Sequence, residues 1–180
     1  MRHPTMLPAK DTRQRGVATK MSETAMNAWD AISERERDDV ARVTALFDSI
    51  FPVAHEGGRV VIERLAEHRA RVRIETHPSQ IRPGNTISGP TMFKLADVCI
   101  YVSLLHALGE RAIQSATTNL SINFMRRPLA GDIIGEARIM KRGKRLAFGE
   151  VDILAEGSAG PDGIPPLVAH ATATYAIPSA

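Results

Sequence analysis

The stretch from Ser88 to Leu108, SGPTMFKLADVCIYVSLLHAL, constrains this chain more than any other. Ser88 or Gly89 can cap a helix start, and Pro90 falls in the first turn, where an absent backbone N–H costs nothing. From Met92 to Leu105 apolar residues recur almost all the way round: Met92, Phe93, Leu95, Ala96, Val98, Cys99, Ile100, Val102, Leu104, Leu105. A helix lacking a polar face belongs at the centre of a fold. Its one acid is Asp97. A carboxylate on a core helix is costly unless it is paired, hydrogen-bonded or open to a cleft. Asp97 is therefore either a bonded structural acid or a functional one.

The chain has 180 residues, enough for one domain with some extra length. A net charge of +3 suits anionic ligands, and 4% aromatic content argues against a base-stacking surface, so no nucleic-acid partner is expected. The single cysteine, Cys99, excludes an internal disulfide and fits a reducing compartment, so a cytoplasmic location is expected. Lys94, Asp97 and His106 interrupt the longest apolar run, so no membrane span is expected. Residues 1–20 are basic and lack apolar periodicity and the apolar middle of a secretory signal. Residues 1–32 are expected to be a disordered extension, with Met1 or Met21 as the start, and 33–180 a single domain.

Ser33 with Glu36 reads as a capping box opening a helix, with Val40, Val43, Leu46, Phe47 and Ile50 on one stripe and Pro52 as its stop. Residues 59–65 and 69–75 read as a hairpin, with Ala70, Val72 and Ile74 facing inward. Residues 77–87 carry Pro78, Pro83, Gly84 and Asn85 and read as a loop. Beyond Gly109, a C-cap, four strands are expected: 117–125, with Thr118, Leu120, Ile122 and Phe124 on one face, then 133–141, 145–154 and 167–177. A tight turn is expected at Arg142-Gly143-Lys144. Small residues at 135, 137, 147, 149, 169, 171 and 173 would let a helix lie close to a sheet. The expected class is α+β: an antiparallel sheet curled around the long helix.

Five segments carry a resemblance to a known family: GPTMFKLAD (89–97), TTNLSINFMRRP (117–128), AGDIIGEAR (130–138), KRGKRLAFGEV (141–151) and HATATY (170–175). Together they resemble the hotdog-fold thioesterases, in the branch of the phenylacetic-acid-pathway acyl-CoA thioesterases. The resemblance implies a hotdog fold, homodimers or homotetramers, and active sites at the dimer interface. The family motif has an upstream Asn, then His-Gly-Gly, then an acid eight residues after the first Gly. Gly89 and Asp97 match it. Ser88 stands for the His, Pro90 for the second Gly and Arg82 for the Asn, with Asn85 nearby. Thr117 falls near a position where the family often has a Ser or Thr that orients water.

The resemblance implies an acyl-CoA thioesterase. Asp97 would be general base or nucleophile. The Gly89 N–H, at a helix end with orphan donors, would polarise the carbonyl, helped by Ser88 or Asn85. Asp97 lies two turns along the helix and would act across the dimer interface. Arg126, Arg127, Arg142, Lys144 and Arg145 are candidate partners for CoA phosphates, or a solvated basic surface. Cys99 lies on a different face from Asp97 with no His to activate it. His106 and His170 have no ligand spacing, so neither metal nor cofactor is expected. No Walker, dinucleotide or serine-elbow motif occurs. The altered His-Gly-Gly motif leaves a second reading open, a non-catalytic acyl-CoA binding or regulatory protein. A hydratase, which needs an Asp/His pair, is set aside.

Overall fold

The computed structural model describes Trp29 and residues 32–179. The chain divides into residues 1–32 and Ser33–Ala180, and the architecture below is that of the second unit. The expected leader and the choice between Met1 and Met21 lie outside the described residues, apart from Trp29 and Ile32.

Helix α1 spans Glu34–Ile50. Ser33 Oγ accepts from the Glu36 N–H at 3.1 Å, as a capping box requires. The return half of the box is not made. The Glu36 carboxylate instead accepts from Arg64 Nε at 2.6 Å and from the Leu65 N–H at 3.3 Å. A partly buried, charge-assisted bond outcompetes an exposed backbone donor, and it fastens α1 to the next strand. Val43 and Phe47 are the buried residues of the apolar stripe. Pro52 ends the helix as expected and opens a 3-10 turn, Pro52–His55.

Strands β1 (Val60–Ala66) and β2 (Arg69–Ile74) form the expected hairpin, with Ala70, Val72 and Ile74 fully buried. Residues 77–87 are more ordered than a loop. A 3-10 turn, Pro78–Gln80, leads into a miniature hairpin, β3 (Ile81–Arg82) and β4 (Thr86–Ile87). Its turn needs positive φ at Gly84 (89°) and Asn85 (55°), which Gly and Asn supply at low cost. Backbone bonds from Ser88 N to Gln80 O and from Ile87 N to Pro128 O fix the approach to the central helix.

Helix α2 spans Gly89–Leu108 with Ser88 as N-cap and Gly109, at φ 58°, as C-cap. By length and average hydropathy it could cross a membrane, contrary to the reading of its interrupted apolar run. Its position shows why it is apolar. Strands β5 (Ala116–Phe124), β6 (Ile133–Arg142), β7 (Leu146–Ala155) and β8 (Leu167–Ala176) join β1 and β2 in one antiparallel sheet, ordered β1-β2-β6-β7-β8-β5. The helix packs on the inner face of this sheet, and the two surfaces supply most of the core. The expected α+β architecture is present. β5 does not pair with β6, its neighbour in sequence, but lies at the far edge beside β8.

Two glycines let helix and sheet approach. A Cβ at Gly135 would lie 2.3 Å from Cys99 Sγ and 3.0 Å from Leu95 Cγ, and one at Gly149 would lie 2.6 Å from Ile100 Cδ1. The outer face of the sheet is a charge network instead. Arg73 donates to Glu63 at 2.5 Å and to Glu156 at 2.5 and 2.9 Å, and Arg71 donates to Glu63 at 2.9 Å and to Glu136.

Asp132 joins this network, accepting from the Thr76 N–H at 2.8 Å and from Arg73 at 3.2 Å. Partial burial pushes its pKa up, but the Thr76 and Arg73 donors outweigh that, and its carboxyl sits below the usual value. A lowered folded-state pKa stabilises above the unfolded value of about 3.9, and the contribution is lost as pH falls through the folded pKa. Asp132→Asn is therefore expected to lower stability at pH 7 and to flatten the acid-side decline, read by urea melts between pH 2.5 and 7. An unchanged slope would remove Asp132 from that decline.

Candidate functional site

The first turn of α2 is short of free donors for reasons of sequence. Ser88 Oγ accepts from the Thr91 N–H at 3.3 Å and lies 2.7 Å from the Thr91 hydroxyl. Pro90 has no N–H. Met92 N donates to Ser88 O at 3.3 Å. Among the described residues, the Gly89 N–H is the one first-turn donor left without a partner, at the positive end of the helix. Gly89 itself lines a cleft of about 630 Å³, together with Arg82, Ile87, Met92, Phe124, Arg126 and Arg127. Phe124 overlies the helix start: a Cβ at position 89 would touch its ring at 3.4 Å. Asn85 stands at the tip of the β3–β4 turn, outside the cleft lining, and its carbonyl accepts from Ala130 N at 2.9 Å.

Asp97 lies about 12 Å along the helix from Gly89, at 1.5 Å per residue. It is half-buried. Its Oδ1 accepts two hydroxyl donors, Thr117 Oγ1 at 2.6 Å and Tyr175 Oη at 2.5 Å. Tyr175 Oη is also 2.9 Å from the Asp97 carbonyl oxygen. Among the described residues, Oδ2 has no hydrogen-bond partner. The Tyr175 phenol is pushed well above its usual pKa, first by burial and then by the Asp97 charge, so it stays a protonated donor.

A β-bulge explains how Thr117 reaches the acid. Strict alternation from Leu120, Ile122 and Phe124 would turn Thr118 inward, as expected from the sequence. In the structure the β5–β8 register shifts between Thr117 and Asn119, so Thr117 pairs with the inward-facing Tyr175. Thr118 instead donates to Thr174 O at 3.1 Å. Bulges commonly re-aim one side chain in this way.

The two basic groups stay apart within one chain. Arg126 and Arg127 line the cleft, and Arg127 Nη2 donates to Gly84 O at 3.2 Å. Arg142, at the end of β6, and Lys144 and Arg145, in the β6–β7 turn, lie at the other end of the sheet. There Arg145 O accepts from Ile177 N, two strands from the start of β5. That turn occupies Gly143-Lys144-Arg145, one residue later than expected, because β6 continues through Arg142. Cys99 is fully buried, and burial pushes its thiol well above the usual value, which makes it unreactive. His106 lies 3.4 Å from Asp39, and His170 lies 2.7 Å from Asp152 on the outer face of the sheet.

Sequence reading assigned no role to Tyr175, Arg82 or Phe124 as parts of these sites. A signal for Tyr175 was present. It ends the inward-facing series Ala169, Ala171, Ala173, and a phenol in such a row needs a partner for its hydroxyl.

Residues 84–161 match the thioesterase superfamily. The chain is similar to the solved structure of a candidate thioesterase from Silicibacter sp. TM1040. Identity is 37%, the match covers 76% of this chain and 89% of that one, and the TM-score is 0.63. In fold it is also similar to zebra fish thioesterase superfamily member 2 (18% identity, 77% and 98% coverage, TM-score 0.62). The same holds for the phenylacetic acid degradation protein PaaI of Thermus thermophilus (20% identity, 71% and 99% coverage, TM-score 0.58). No curated protein sequence matches.

Proposed function

Since this chain belongs to the thioesterase superfamily, with the hotdog fold of its solved relatives, we propose that it hydrolyses acyl-CoA thioesters as a homodimer. The observation that carries this reading is the state of Asp97: one oxygen tied by two hydroxyls, the other without a protein partner, on a half-buried carboxylate in the middle of the core helix.

The dimer seam is β5. It is a nine-residue edge strand, mostly exposed, with no charge and no proline to discourage pairing. Antiparallel pairing of two copies about Leu120 would bring Phe124 of the partner subunit beside Ala116. The partner's Gly89, which faces that ring, would then approach Asp97 and Thr117. The same two-fold would bring the partner's Arg126 and Arg127 toward the Arg142–Arg145 turn, so that phosphates meet both basic groups. Asp97 Oδ2 would accept a proton from water as the water oxygen attacks the thioester carbon, and return it to the departing thiolate; as nucleophile it would instead form an acyl anhydride that water then hydrolyses. The Gly89 N–H would hold the developing oxyanion, and the C–S bond would break to release CoA.

One observation favours a second reading, a protein that binds acyl-CoA without turnover. Pro90 removes a donor from the helix start, and Ser88 is committed to Thr91, so the oxyanion site rests on Gly89 alone. Thiol release from a panel of aromatic and aliphatic acyl-CoAs separates the two. A hydrolase releases thiol from at least one member. A binder releases none and gains thermal stability from several. In the hydrolase, Arg126→Ala is expected to raise KM about tenfold, the size of one lost charge-assisted bond, with kcat within about threefold. An unchanged KM at low salt would remove Arg126 from CoA binding.

A further inference from the structure

We infer that Tyr175 is a positioning residue for Asp97: with Thr117 it engages Oδ1 and thereby leaves Oδ2 as the oxygen that meets the substrate or its water. The inference deepens the hydrolase reading and rests on it. The argument begins with hydrogen-bonding capacity. A carboxylate that can turn about its Cβ–Cγ bond offers either oxygen in several orientations. Two hydroxyl donors at 2.6 and 2.5 Å on one oxygen remove that freedom. Thr117 alone would not suffice. Thr117 lies on an exposed edge strand, with a hydroxyl that can rotate toward solvent. Tyr175 cannot turn away: the residue is 2% exposed, on a strand paired on both sides.

The same phenol spans two parts of the fold. Its oxygen touches both the side chain and the main-chain carbonyl of Asp97, while its backbone belongs to β8. It therefore fixes the carboxylate relative to the helix and the helix relative to the sheet at one point. The phenol has one hydrogen, so these are two branches of one shared bond: the carbonyl branch has a structural share, and the shorter Oδ1 branch is the one with a catalytic consequence. Deprotonation would abolish both branches and place a second negative charge against Asp97. Burial and that neighbouring charge hold the phenol in its protonated form, so the donor persists across the working pH range.

The test is Tyr175→Phe, which keeps the ring and removes only the hydroxyl. It is assayed on whichever acyl-CoA the wild type hydrolyses, with melting temperature measured in parallel. A lowered kcat of about 10- to 100-fold with KM within about threefold is expected, the cost of a misplaced reacting group. Thr117→Val, on the exposed edge, provides a second variant should Tyr175→Phe unfold, and the same split between kcat and KM is expected of it. The deciding comparison is made in an Asp97→Asn background. If Tyr175 acts through the carboxylate, adding Tyr175→Phe there leaves the residual rate unchanged within about twofold, because interacting residues are not additive. A further fall in that background, or a folded Tyr175→Phe enzyme with wild-type kcat, overturns the inference while the hydrolase reading stands. A wild type that releases no thiol from any acyl-CoA overturns both.

Discussion

Asp97→Asn is expected to lower kcat by about a thousandfold, within the 10²–10⁴ range of a positioned general base, while acyl-CoA binding changes little. The substitution is close to isosteric. The Asn carbonyl oxygen can take the place of Oδ1 and still accept from Thr117 and Tyr175. Its amide nitrogen then stands where Oδ2 was, a donor in place of an acceptor, unable to take a proton from water or to attack a carbonyl. The fold should survive, because no partner loses its bond. Single-turnover thiol release, a binding measurement with CoA ester and a melting curve check the three parts. If kcat falls less than about tenfold, Asp97 is not the general base.

The second large effect concerns the core. Gly135→Ala is expected to destabilise the fold by about 2 kcal/mol, within the range for overpacking a close-packed interior. The added methyl would meet Cys99 Sγ at 2.3 Å and Leu95 at 3.0 Å, both on a helix that cannot retreat without disturbing its contacts with β7. Cys99→Ala removes the nearer obstacle. The double variant Gly135→Ala/Cys99→Ala exchanges volume across the interface and should recover at least half of the loss, read by urea melts as a coupling between the two sites. Additive losses would show that the clash is relieved elsewhere.

Much of this architecture was legible in the chain because burial writes itself as periodicity. The all-round apolar pattern of 89–108 gave the core helix, and alternation in 69–75 gave an inner row that is fully buried. Asp97 stood out because a lone acid in such a helix demands a reason. Other features were hidden because they depend on non-local pairing. Nothing in residues 77–87 announces that two pairs of residues form a hairpin, since its short strands depend on bonds to Pro128 and Gln80. The move of β5 to the far edge is equally silent, because an alternating strand does not say which neighbour it will take. Thr117 was named from a family position, while alternation pointed to Thr118, and only the paired strand resolves why the first faces Asp97.

That bulge means the site is kept by a count as well as by residue types. Between Thr117 and Leu120 the chain holds one residue more than strict alternation needs, and that surplus turns the hydroxyl toward the acid. The same residues paired without the bulge would retain Asp97, Tyr175 and Thr117, and would still lay Leu120, Ile122 and Phe124 on the helix. Thr117 would then look outward and Thr118 inward. Within this strand the phase of the chain is itself a functional quantity, carried by spacing between residues rather than by any one of them.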